Sequence, residues 1–306
     1  MFDNASSDDT ERVVGSFLSR GFDLRYTRND TNIGSDRNIA QCFDLARGRY
    51  VLILGDDDVL LDGALEKILR VLREGSYGGV FVRPYGYNAD FMREKPFQLA
   101  KRTIVYDDAS DFLEKTSIYA TFVSAIIINK SLIRDINATQ FVSTNLVHTY
   151  LFYRAVLASK TNAYIPEYLI AARRTLDKDY DAVDIFLSNY GSALCYCKPW
   201  GLDVSAAARI LRKMLWYQLP LFMVQLRVMK NARHECQDAY SRIREHFGRD
   251  VLFWLCVVPI LRLPKMLAVL WGYAVIIVGR IAAGEANRLW AVFPRGYLAV
   301  RQKLKK

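Results

Sequence analysis

The chain has 306 residues, 52% of them hydrophobic and 13% aromatic, which is too apolar for an intrinsically disordered protein and long enough for one large domain or a domain with a substantial appendage. A net charge of +10 and a pI near 9.3 call for an anionic partner: nucleic acid, anionic lipid or an anionic small substrate. Five cysteines without a paired CxxC argue against a disulfide framework and fit reduced thiols in a cytoplasmic protein, and the lone C-x-C of Cys195 and Cys197 is a poor zinc site.

The N-terminal MFDNASSDDTER is polar and acidic, with no signal-peptide pattern. Ser7 or Asp8 caps an expected helix through Val13, Val14, Phe17 and Leu18. A short strand is expected over 22–27, then a helix over 36–47 with Ile39, Cys42, Phe43 and Ala46 on one face and Gly48 as its stop. Residues 50–54 read as a continuous apolar strand of the kind buried on both faces of a parallel sheet. A helix over 62–73 and a strand over 79–82 continue the alternation. Further on come a strand over 103–106, a helix over 108–117, a strand over 121–128, a helix over 145–159 and a strand pair around 163–172. This βαβ rhythm predicts an α/β sandwich with a mostly parallel central sheet and right-handed crossovers. Long helices follow residue 179, and the composition shifts again at Arg249. The expected division is therefore 1–178, a helical extension over 179–248, and an apolar and basic tail over 249–306.

In that tail, VLFWLCVVPILRLPKMLAVLWGYAVIIVG (251–279) is broken by Arg262 and Lys265 beside Pro259 and Pro264. The flanking apolar runs of 11 and 14 residues fall short of the roughly 20 that span a bilayer. Two half-depth helices, a re-entrant hairpin or an interfacial anchor fit better than a span, and a buried helical hairpin is the plainer reading. Arg280, Arg288, Arg295, Arg301, Lys303, Lys305 and Lys306 then accompany Trp271, Tyr273, Trp290 and Tyr297. That pairing suits an anionic lipid surface and lacks any nucleic-acid-binding signature.

The run GDDD (55–58) ends the apolar strand at 50–54. Ligands of open α/β sheets collect at the carboxyl ends of strands. Adjacent carboxylates repel, and a hard cation such as Mg²⁺ or Mn²⁺ shared with substrate phosphates offsets that repulsion. An acidic turn with Asp58 or Asp62 as a helix cap is the plainer alternative. An EF-hand is excluded: the twelfth position from Asp56 is Lys67, and Gly63 falls at position eight.

Three ordered motifs accompany this turn. Asp3, Asn4, Ser6, Asp8 or Asp9 and Thr10 match a D-[DN]-x-S-x-D-x-T loop; Asn32, Gly34 and Asn38 match N-x-G-x-x-x-N; and Ala46, Gly48, Tyr50, Asp56 and Asp58 match A-x-G-x-Y/F leading into D-x-D. Together they resemble glycosyltransferase family 2, and the GDDD form is most similar to its abequosyltransferase-like branch, whose members build bacterial surface polysaccharides. The resemblance is firm over about residues 1–130 and weak after 180.

The resemblance implies a GT-A fold over 1–178, a nucleoside diphosphate sugar donor and Mn²⁺ or Mg²⁺. It implies a lipid-linked saccharide acceptor and an inverting transfer at the cytoplasmic face of the inner membrane, with the protein peripheral or monotopic. It assigns Asp3 to the nucleobase, with Asn4, Asn32 and Gly34 in the nucleotide-sugar loops. Arg37 belongs to the segment facing the diphosphate, Asp56 approaches the ribose, and Asp58 holds the metal. The residues agree in part: a loop ahead of a helix starting near Ser35 aims N–H groups at phosphate, and Arg37 adds a guanidinium fork. The family base often sits in an acidic pair at the start of a later helix. Here FVSTNLVHTYLFYRAVLA (141–158) has none, and His148 is the nearest group able to take a proton near neutral pH, with Asp57 and Asp111 in reserve.

Family members also open with a strand and a P-x-Y/F-N-R turn, whereas this chain starts at Met1-Phe2, at the end of what would be the second strand. A missing interior strand leaves backbone groups unpaired, so a downstream start or a truncation is expected, with a patch by another element as the third option. The rival function is an inactive remnant or membrane-associated scaffold that keeps the fold. A nucleotidyltransferase would need a glycine- and basic-rich phosphate loop near the N-terminus, which the sequence lacks.

Overall fold

The structure, a computed structural model, describes residues 1–98, 102–174, 184–228 and 232–282. The basic residues from Arg288 to Lys306 lie outside the described residues, as do Trp290 and Tyr297. Two compact units are present: Met1–Asp177 with Ser192–Asp203, and Lys178–Gly191 with Val204–Lys306.

In the first unit the elements run β1 (Phe2–Asp3), α1 (Thr10–Ser19), β2 (Thr27–Arg28), α2 (Ser35–Leu45), β3 (Tyr50–Leu52), β4 (Val59–Leu60), α3 (Ala64–Glu74), β5 (Gly79–Tyr87), β6 (Ile104–Tyr106), α4 (Ala109–Thr116), β7 (Ile126–Asn129), α5 (Val147–Leu157) and β8 (Asn162–Arg173). The six-stranded sheet has the order β3-β7-β5-β8-β4, with β6 also on β8. The α/β class holds, but the pairing corrects the expectation of a mostly parallel sheet. β5 and β8 run parallel, whereas β3–β7, β5–β7, β4–β8 and β6–β8 are antiparallel. Apolar runs such as Ile126–Ile128 look alike in either direction, so the sequence could not separate the two. The expected strand pair near 163–172 is one twelve-residue strand, β8. β1 and β2 pair in parallel as a sheet of their own.

The packing explains how α2 and α5 are held. Ile68, Val71 and Ala64 give α3 a buried stripe at helical spacing. Glycine is required where α5 meets β5: a Cβ on Gly78 would stand 2.2 Å from the Ala155 carbonyl, and one on Gly79 2.5 Å from Val156. Lys130 closes α2 from the opposite end. Its Nζ donates to the carbonyls of Phe43, Asp44 and Ala46 at 2.7, 2.7 and 2.8 Å, placing a cation at the negative end of the helix dipole.

The second unit is helical: α6 (Tyr190–Tyr196) begins in it, followed by α7 (Val204–Lys213), α8 (Leu219–Val228), α9 (Ala232–Phe247), α10 (Val258–Arg262) and α11 (Lys265–Ala282). The break expected at Arg262 to Lys265 is present, because α10 ends at Arg262 and Leu263 is extended.

Candidate active site

β1 delivers Asp3 to a buried position, where Oδ1 accepts from the Ser6 N–H at 2.8 Å and Oδ2 from the Tyr26 hydroxyl at 2.6 Å. Arg28 Nε lies 3.4 Å from Oδ2. The hydrogen bonds from Ser6, then Tyr26, hold the Asp3 carboxyl down to about 2 against the opposing effect of burial. Because this folded value lies below the unfolded one, the stabilisation is full above pH 3.8 and disappears as the pH falls towards 2. Asp3→Asn is therefore expected to cost on the order of 1–2 kcal/mol at neutral pH, after allowance for screening at Arg28. The penalty should vanish near pH 2, and urea unfolding across that range checks it. Both Asp3 oxygens are engaged by the protein, as both Asp58 oxygens are.

The asparagines of the second motif join that loop to the start of α2. Asn4 Nδ2 donates to Asn32 Oδ1 at 2.8 Å, while Asn4 Oδ1 accepts from Ile33 N–H at 3.0 Å and Asn29 Nδ2 at 3.2 Å. Asn29 also reaches Asn38 Oδ1 at 3.3 Å, and Gly34 N–H donates to Asn32 Oδ1 at 2.9 Å. Gly34 precedes α2 with φ +85°, a conformation that costs glycine little and other residues more. Asn4, Asn32 and Gly34 are therefore brought together. Arg37 is exposed on α2 and lines a cavity of about 620 Å³ with Asn29, Ile33, Gln41, Asp44 and Thr139. None of the three aspartates of the acidic turn lines it.

The acidic turn joins β3 to β4 and folds back on Gly55. A Cβ there would lie 3.1 Å from Asp58 Oδ2, 3.3 Å from Asp57 Oδ1 and 3.5 Å from Ser124 Oγ. Asp58 is half-buried: Oδ2 accepts from the Ser124 hydroxyl at 2.6 Å, and Oδ1 from the Arg173 N–H at 3.2 Å. Ser124 Oγ in turn accepts from Gly55 N–H at 2.9 Å, and the Tyr87 hydroxyl donates to the Asp57 carbonyl at 3.2 Å. Burial pushes the Asp58 carboxyl up; the Ser124 bond opposes this, and the charges of Asp57 and Asp56 add to it. Asp56 is exposed. Among the described residues no Lys or Arg pairs with these aspartates, and no three His, Cys, Asp or Glu side chains form a protein-only metal cage. Two carboxylates crowding one point without a cation are an all-oxygen donor set, which fits a hard divalent ion that takes its remaining ligands from substrate phosphate.

His148 sits in the first turn of α5 and is buried, with Nε2 2.7 Å from the Thr121 carbonyl. A carbonyl only accepts, so Nε2 carries the proton and the lone pair belongs to Nδ1. Nδ1 is buried and has no partner. Burial lowers the His148 pKa, against the Thr121 bond and the charge of Asp36. Its proton-accepting nitrogen is thus closed to solvent in this arrangement. Asp111 is exposed in the first turn of α4, where its N–H donates to the capping Asp108 side chain.

Sequence reasoning missed Ser124, the Arg173 backbone and Asp36. Asp36 is buried, accepts from the Asn145 N–H at 2.8 Å through Oδ2, and leaves Oδ1 without a partner. An acidic residue in the first turn of a helix was the available signal for Asp36. Ser124 and Arg173 come from distant segments and had none.

Residues 1–136 match the family described as Glycosyl transferase family 2, which bears out the resemblance carried by the motifs. The abequosyltransferase RfbV of Salmonella typhimurium is 41% identical over 64 residues, 21% of this chain and 19% of that protein. A GalNAc(5)-diNAcBac-PP-undecaprenol beta-1,3-glucosyltransferase of Campylobacter jejuni is 38% identical over 80 residues, 26% of each chain. The matched stretches thus span about a fifth to a quarter of these relatives. The crystal structure of S. aureus TarS 1–349 in complex with UDP-GlcNAc is similar in fold, with a TM-score of 0.56 at 15% identity over 94% of this chain and 81% of that one.

Proposed function

With residues 1–136 forming a glycosyl transferase family 2 domain, we propose that the protein transfers a sugar from a nucleoside diphosphate sugar to a lipid-linked saccharide acceptor, inverting the anomeric carbon. The observation that carries this reading is the convergence of Asp57 and Asp58 over Gly55, with Asp58 oriented by Ser124 and Arg173. Support for the substrates comes from similar proteins: TarS holds UDP-GlcNAc, and the C. jejuni relative is named for an undecaprenol-linked acceptor.

In this reading the loop from Asp3 to Asn4 and the network of Asn4, Asn29 and Asn32 shape the nucleotide side of the donor site. The start of α2 offers N–H groups and Arg37 to the diphosphate, and Asp56 approaches the ribose. Mn²⁺ or Mg²⁺, held by Asp58 and the donor phosphates, would supply charge stabilisation to the leaving diphosphate. The acceptor hydroxyl needs a base open to solvent. Asp57, which crowds the metal-binding turn with Asp58 over Gly55, does not supply it. The site of action is the cytoplasmic face of the inner membrane, where a nucleotide donor meets a lipid-borne acceptor.

One observation favours the second reading, a fold kept without turnover: β1 and β2 form their own sheet and do not join the six strands beside them in sequence. Calorimetric titration with UDP-GlcNAc separates the two. The transferase is expected to bind the nucleotide sugar at least about tenfold more tightly with Mn²⁺ than with EDTA, as phosphate–metal bridging requires. Binding that ignores the metal, or no binding, sinks the catalytic reading.

A further inference from the structure

Helix α11 buries one side only. Ala268, Gly272, Ile276 and Gly279 face inward, and the approach is close: a Cβ on Gly272 would stand 2.2 Å from Val224 of α8 and 3.3 Å from Ile260 of α10. Leu267, Leu270, Trp271, Val278 and Ile281 lie on the other side, between 44% and 64% exposed, at the spacing of one helical face. Val251, Trp254 and Leu255 of the preceding helical segment are exposed as well. Trp271 Nε1 donates to the Leu255 carbonyl at 2.9 Å, so the two exposed sets adjoin.

An apolar face of this kind marks an interaction surface, and its charges select the partner. From Val251 to Ala282 the sequence has no Asp or Glu, and its charged residues are Arg262, Lys265 and Arg280. Arg262 and Lys265 are exposed at the break between the two helices. Arg280 is buried on the inward side and Asp250, next to Val251, is paired with Arg212, so the exposed charge beside the bare apolar face is that of Arg262 and Lys265, which complements an anionic lipid headgroup layer. Trp271 lies mid-helix, where a spanning orientation would bury its indole at the bilayer centre, whereas tryptophan favours the interface. We propose that this unit docks on anionic phospholipid through the exposed face of α11 and Trp254, with α11 lying in the plane of the interface. The inference extends the membrane part of the reading above and is independent of catalysis.

The full chain is tested against vesicles of equal parts phosphatidylcholine and phosphatidylglycerol, and against phosphatidylcholine alone. Expected are cosedimentation with the anionic vesicles, and tryptophan quenching stronger with lipids brominated near the headgroup than near the chain end. Leu267→Asp combined with Leu270→Asp should lower partitioning about 100-fold with unchanged circular dichroism. Because the Leu→Asp pair alters only exposed positions, a second pair, Trp271→Ser with Val278→Ser, repeats the test without new charge. Any of the following overturns the proposal: deepest quenching near the chain ends, equal binding to both vesicles, no binding, or self-association of the chain that excludes lipid. UDP-GlcNAc affinity measured on the same samples keeps a failure here distinct from failure of the transferase reading.

Discussion

Asp58→Asn is expected to reduce sugar transfer at least about 1000-fold while leaving the protein folded, a loss on the scale of removing a principal electrostatic stabiliser of the leaving group. The asparagine keeps the shape of the side chain and can still accept from Ser124 or from the Arg173 N–H, the two groups that hold Asp58 now. It lacks the charge a hard cation needs. Stability should move the other way. Burial raises the Asp58 carboxyl above its unfolded value, so ionisation costs stability as the pH rises through that folded value. Removing the charge is then neutral or stabilising at neutral pH, within about 1 kcal/mol. Turnover of nucleoside diphosphate sugars with Mn²⁺, calorimetric binding and a thermal melt read the three quantities separately. If the variant retained metal-enhanced binding, Asp58 would lose its assignment.

His148 gives the second large effect, and the variants separate two roles. His148→Ala removes the 2.7 Å bond to the Thr121 carbonyl and opens a void in a buried position. It should cost about 2–4 kcal/mol in stability and lower turnover with it. His148→Gln can restore a donor to that carbonyl. A positioning residue predicts that Gln recovers turnover to within about tenfold of the parent and leaves the acidic limb of the pH–rate profile in place. A general base predicts the reverse: Ala and Gln would both lose roughly 100- to 10,000-fold, and the limb belonging to the imidazole would disappear. The buried Nδ1 favours the first outcome.

Local pattern made much of this protein legible in advance. The helical spacing in 36–47 and 62–73 marks α2 and α3 to within two residues, since a buried face repeats every three to four positions. The asparagines of the second motif and the GDDD turn lie within short stretches, and their own hydrogen bonds assemble them. The sequence therefore determined the α/β class, the family motifs and the acidic turn, because each depends on residues close together in the chain. Strand direction depended on partners far apart: β7 runs against both β3 and β5, and isoleucines carry no direction. The partners of Asp58 lie 66 and 115 residues away. The closure of His148 also comes from outside its own helix, since the Thr121 carbonyl reaches it from a turn 27 residues earlier. Burial and long-range hydrogen bonds exist only once distant segments pack, so only the tertiary structure could decide that Ser124 orients the metal-binding carboxylate candidate and that the imidazole faces inward.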